Sequence, residues 1–247
     1  MNRYLPLVLP CALIFAAGSC KKYNPAKAQS QREEWIASLH DSIAQINKMR
    51  AEDSARIISL RQDIDNNIKE FSQVANQREV APYYILSSAK GEYPLTATGI
   101  IARVTNDMQF EVIAALSGQK FDAIRLAAGG DASRSVTSTV VPPDQALNYT
   151  SADGLTVVAF SGALNAPLGE FAADNSIGHI NVEYMMNGAV RKSVSLAPAR
   201  RNCIARTWQF TSSRAMLDSL EAFQVINARK LEILHITLKQ HEGNKKQ

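Results

Sequence analysis

The chain is predicted to be α+β: an antiparallel β-sandwich or barrel inserted between a long N-terminal coiled-coil helix and a C-terminal helix. Three observations predict it. Residues 31–78 contain no Pro or Gly and carry apolar residues on a heptad repeat. Residues 79–212 break into short β-rich runs punctuated by Pro, Gly, Asn and Asp, and residues 213–242 return to helical spacing before a polar tail, 243–247. With 46% hydrophobic and 20% charged residues over 247 positions, the composition is that of a folding chain rather than a disordered or fully membrane-embedded one. The net charge of +4 is spread over isolated residues and short pairs, which argues against a nucleic-acid partner.

In the first helix the seam alternates Ile36, Ile43, Arg50, Ile57, Ile64 and Phe71 with Leu39, Ile46, Asp53, Leu60, Asn67 and Val74. A helix over 31–78 extends about 70 Å at roughly 1.5 Å per residue, too long to lie against one small core. The β-rich runs that follow are YYILSS, TGIIARVT, MQFEVIAAL, FDAIRLAA, SVTSTVV, TVVAFSGAL, HINVEYMM, VRKSVSL and IARTWQF. Asn187-Gly188 between the seventh and eighth suits a type I′ hairpin, whose two central residues need positive φ. The segment APLGEFAADN reads as a short helix or a crossing loop, and Cys203, in NCIARTWQF, as a buried small residue at a strand start.

The C-terminal helix, capped by Ser212 or Ser213, sets Leu217, Leu220, Leu231, Leu234 and Leu238 on one seam, interrupted by Gln224 and Asn227. The first helix has a matching interruption at Arg50 and Asp53. An antiparallel pairing that sets Arg50 against Asn227 and Asp53 against Gln224 places Ile57 on Leu220, Leu60 on Leu217, Ile46 on Leu231, Ile43 on Leu234 and Leu39 on Leu238. Polar layers cost stability unless partnered, and they fix register. Two other arrangements compete. A parallel homodimer through the first helix sets Arg56 opposite Arg61, and the helices could instead pack separately on the sheet. Val225, Ile226, Ile233 and Ile236 lie off the seam and call for a protein partner, a second copy or the β domain to cover them.

The N-terminus starts with Arg3 and an apolar stretch, LPLVLPCALIFA, too short and too Pro-rich for a stable span. It ends in Ala17-Gly18-Ser19-Cys20, which resembles the lipobox of bacterial lipoproteins. The resemblance implies a signal peptide over 1–19, cleavage before Cys20, and acylation of that residue through a diacylglycerol thioether and an N-linked chain such as palmitate. More than one acyl chain anchors a protein stably to a membrane. Residues 20–30, with Pro25, then read as a tether. Lys21 favours the outer membrane by analogy with the enterobacterial sorting rule, and the lack of an acidic cluster after Cys20 favours the periplasmic side. Asp41-Ser42-Ile43, Asp53-Ser54-Ala55 and Asp218-Ser219-Leu220 resemble the Bacteroidota O-glycosylation motif, which implies glycans on Ser42, Ser54 and Ser219; otherwise these residues simply fill solvated helix positions.

No HxxxH, GxSxG, Walker or GxGxxG spacing occurs, and the acidic residues are too dispersed to nominate a pair, so neither an enzyme nor a metal or cofactor site is expected. Tyr83, Tyr84, Tyr149, Tyr184 and Trp208 are candidates for a ligand groove, with core packing as the plainer role. The expected role is a lipid-anchored envelope scaffold or protein-interaction module. The alternative is a module that binds glycan, peptidoglycan or peptide, to be recognised by a concave groove lined with aromatic residues.

Overall fold

A computed structural model describes residues 25–75, 82–129, 131–143 and 145–243, the side chains of 131, 132 and 243 excepted. Cys20, the segment before it and the tail from 244 lie outside the described residues. The protein is α+β, with three α-helices and ten strands among those residues. Helix α1 runs Pro25–Asn67, β1 Phe71–Val74, β2 Tyr83–Leu86, β3 Gly99–Val104, β4 Phe110–Ser117, β5 Ala123–Ala128 and β6 Asp131–Thr137. β7 (Asn148–Thr150), β8 (Leu155–Ser161), α2 (Ala166–Ala173), β9 (Ile180–Met186), β10 (Ala189–Ser195) and α3 (Pro198–Gly243) complete the chain.

Three boundaries differ from the sequence reading. Residues 25–30, read as tether, are helical, because Pro is at home in the first turn, where its missing N–H has no intrahelical partner to lose. The first helix stops at Asn67 rather than 78, and Phe71 and Val74, read as seam positions, belong to β1, which pairs in register with β2. The third difference is the largest. The run IARTWQF is not a ninth strand but part of α3, which starts at Pro198, well before Ser213. Its Ile, Thr and aromatic residues favour strands, but Cys203, Ile204, Thr207, Phe210 and Thr211 are all buried at helical spacing. Tertiary burial has overridden local propensity.

The strands form a six-stranded sheet, ordered β1-β2-β3-β4-β8-β7, and a four-stranded sheet, ordered β10-β9-β5-β6. Every pairing among them is antiparallel. The Asn187-Gly188 hairpin forms with both φ angles positive, at 53° and 76°, between Met186 and Ala189. Ile100, Ala102, Val112, Ala114, Val158 and Phe160 of the larger sheet share one core with Ile124, Leu126, Ile180, Val182 and Tyr184 of the smaller. This is a sandwich, with interdigitating side chains between two faces. Tyr184 crosses it, its hydroxyl donating to the Gly99 carbonyl at 3.0 Å. Trp208 of α3 packs on the same core, and a Cβ at Gly169 of α2 would lie 2.3 Å from it, so only glycine permits that approach.

The chain divides into two compact units, residues 48–229 and residues 1–47 with 230–247. In the larger, contacts descend along α3 as they ascend along α1: Arg50 with Gln224, Arg61 with Glu221, and Asn67 with Arg206. The two helices are antiparallel there. Ile57, Ile64, Leu217 and Leu220 are buried together with Phe210, and Leu60 packs at the margin. The polar notch pairs differently from the sequence reading. Gln224 accepts from Arg50 Nε at 3.2 Å, and its amide donates to the Arg50 carbonyl at 2.8 Å and to Ser54 at 3.2 Å, so it meets Arg50 rather than Asp53. Asn227 is buried. In the smaller unit Leu39, Ile46, Leu231 and Leu238 are buried, and Ile43 and Leu234 are half-buried. Trp35 meets His241 edge to face with ring centroids 4.3 Å apart. No helix among the described residues is long and apolar enough to cross a membrane.

Candidate ligand groove

Strands exposed to water on one side alternate apolar and polar residues, but β3 and β4 are buried at nearly every position. The six-stranded sheet therefore carries apolar side chains on both faces. Its inner face meets the smaller sheet. On the outer face Ile85, Leu86, Ala89, Leu95, Ile101, Ile113, Ala115, Leu155, Ala159 and Cys203 form a second cluster. Cover on this face comes from the 3₁₀ segment Ser87–Glu92 and from Cys203 of α3. Over β4 and β8 the described residues line an open groove of about 590 Å³.

Register builds the groove floor. Ile113 stands opposite Ala159, and Ala115 opposite Val157, which in turn faces Tyr149 on β7. Ala159 recesses the floor between larger neighbours. One wall is Tyr93, Pro94 and Leu95, with a cis Tyr93-Pro94 peptide bond, and the other is Ala146, Leu147 and Tyr149. Leu147 and Tyr149 are 44% and 46% exposed, an unusual pair of apolar surfaces to leave in solvent on adjoining positions of one wall.

The two ends of the groove are polar in different ways. Arg103 faces Glu111 across β3 and β4, and Glu111 faces Ser161 across β4 and β8, so three strands deliver one polar row. Arg103 donates through Nε to Glu111 and through Nη1 to the Tyr93 hydroxyl at 2.7 Å; Ser161 donates to the other Glu111 oxygen. The guanidinium lies 3.4 Å from the centroid of the Tyr83 ring. Arg103 and Glu111 are only 4% and 3% exposed, so the pair is desolvated and held by hydrogen bonds and a cation–π contact. The far end carries Thr96, Ser151 and Asp153. The Ser151 hydroxyl and the backbone amides of Asp153 and Leu155 hold the Asp153 carboxyl below the usual carboxylate range.

The residues singled out from the sequence sort clearly. Of the aromatic candidates, Tyr149 lines the groove and Tyr83 stacks on its buried cation, whereas Tyr184 and Trp208 belong to the inner core and Tyr84 packs beside the helix pair. Ser54 and Ser219 are exposed and Ser42 half-buried; each hydroxyl donates to the carbonyl one turn back, at 2.8 Å, 2.7 Å and 2.8 Å for Ser42, Ser54 and Ser219. Val225 and Ile226 in the larger unit are exposed, as are Ile233 and Ile236 in the smaller. Burial pushes the Cys203 thiol pKa up, in keeping with a packing role. No cluster of three or more metal-ligating side chains occurs among the described residues.

Sequence reasoning missed Arg103, Glu111, Ser161 and Tyr93. One signal was available: TGIIARVT and MQFEVIAAL each carry one charge inside an apolar run without alternation, the mark of a buried pair. No protein-family profile, curated protein or solved structure matches this chain.

Proposed function

We propose that this protein is a lipid-anchored envelope protein whose β module binds a ligand in the groove on the outer face of its six-stranded sheet. The observation that carries the reading is the groove itself. It is concave, about 590 Å³, lined by Tyr93 and Tyr149, and floored by aliphatic side chains next to one buried polar cluster. That volume falls within the roughly 300–1,000 Å³ of small-molecule sites, which combine an apolar lining with a few placed polar groups. The anchor rests on the lipobox-like Ala17-Gly18-Ser19-Cys20.

A photo-crosslinking amino acid at Leu147, on the groove wall, tests the binding role in intact envelopes. A discrete adduct at Leu147 that is lost when Ala159→Leu fills the floor supports it. An adduct indifferent to Ala159→Leu, or none, refutes it. The anchor has its own test: a Cys20→Ala chain should lose labelling by a fatty-acid analogue, and continued labelling would remove the anchor from the account.

A scaffolding role is the second reading. It is favoured by the exposed off-seam residues of α3, of which Val225 is 72% exposed. An adduct formed from Val225 rather than from Leu147 would favour it over ligand binding.

A further inference from the structure

The groove lies on the six-stranded sheet; the four-stranded sheet ends in a free edge. β10 is its terminal strand, bonded on one side to β9. Six of its seven residues are exposed, Val194 alone being half-buried. The Leu196 amide donates to the Ile180 carbonyl at 2.9 Å, which makes Val194–Val182 and Lys192–Tyr184 the next hydrogen-bonded pairs of the ladder. Ser193 and Ser195 fall between them, so their amides and carbonyls point away from β9. Among the described residues none of these four groups has a hydrogen-bond partner. Such a row of open donors and acceptors is a template for another strand. A bulge between Val190 and Lys192 leaves Arg191 unopposed and blunts the first half of β10, whereas the second half pairs regularly.

Charge decides what fits there. Arg191 and Lys192 stand at the start of the regular half, both exposed and both without an ion pair among the described residues. Glu183, opposite Ser193 on β9, is already engaged by Arg125 at 2.6 Å. A second copy of β10 would bring the same two cations to the shared edge, and like charges facing each other across strands are destabilising. An acidic strand meets them favourably. From this we infer that β10 is a docking edge for an extended acidic segment of another protein. That segment adds a strand to the smaller sheet by main-chain bonding to Ser193 and Ser195, with its carboxylates beside Arg191 and Lys192. Main-chain bonds supply attachment and the two cations supply selectivity, as in strand addition generally. The edge is independent of the groove, which belongs to the other sheet.

The test uses the full chain carrying Cys20→Ala, so that no attached acyl group drives association. The probe is a fluorescein-labelled peptide of alternating Glu and Val, and the control is the matching peptide of Lys and Val. The acidic peptide should bind saturably and about tenfold or more tightly than the basic one, with the difference shrinking as salt rises. Ser193→Pro removes an outward amide that β9 does not use and should weaken binding about tenfold, while Ser193→Ala, which keeps the amide, should not. Arg191→Glu combined with Lys192→Glu should abolish the preference for the acidic peptide. Amide hydrogen exchange reads the same contact without any substitution that could disturb the fold: saturation with the acidic peptide should protect the Ser193 and Ser195 amides. Absence of acidic-peptide binding, equal binding of both peptides, or binding that leaves those two amides unprotected overturns the inference. So does self-association through this edge, seen as a dimer that Ser193→Pro dissolves.

Discussion

The two faces of the six-stranded sheet are built from the same kinds of residue and end differently. On the inner face Ile100, Val112, Val158 and Phe160 meet a whole second sheet and are sealed. On the outer face Ile113, Val157 and Ala159 lie under partial cover and open into the groove. Alternate residues of β4 feed the two faces, so aliphatic content alone does not separate core from site. Among the described residues, what separates them is the covering layer: a full sheet on one side, a 3₁₀ segment and the start of a helix on the other.

Substitutions can break or sharpen that contrast. The largest effect is expected on the sealed face, where Phe160→Ala empties a fully buried ring and should cost about 4 kcal/mol in denaturant unfolding. On the outer face the equivalent weak point is polar. Glu111→Ala leaves the Arg103 charge buried without its carboxylate and should cost about 3 kcal/mol, even though no apolar core is touched. Adding volume separates the regions further. Gly169→Ala drives a methyl into Trp208 and should cost about 2 kcal/mol, whereas Ala159→Leu grows into open groove and should cost less than about 1 kcal/mol. Smallest of all, Leu147→Ser should leave the unfolding midpoint within about 0.5 kcal/mol of the parent while weakening ligand binding. A large loss of stability at Leu147 would mean that the wall is core after all.

How far the sequence reveals this architecture depends on the range of the interactions. The α+β class, the Asn187-Gly188 hairpin and most strands are legible because alternation, turn chemistry and heptad spacing are local signals. The short strands β1 and β7 are not, since four and three residues carry too little pattern and exist through pairing with β2 and β8. The first turns of α3 mislead for the opposite reason: Ile204, Thr207 and Trp208 are strand formers whose helical state follows from what they pack against. The groove is the least legible. Arg103, Glu111 and Ser161 lie on three strands and become one row only through register, which no local pattern encodes.

The central contrast is between an outer face that opens into a groove and an inner face sealed by a second sheet. Methyl resonances followed while a soluble paramagnetic agent is titrated measure this directly. Ile113, Leu147, Leu155 and Val157 should broaden while Ile100, Val112 and Val158 stay sharp. No broadening on the outer face, or equal broadening on both faces, would contradict it.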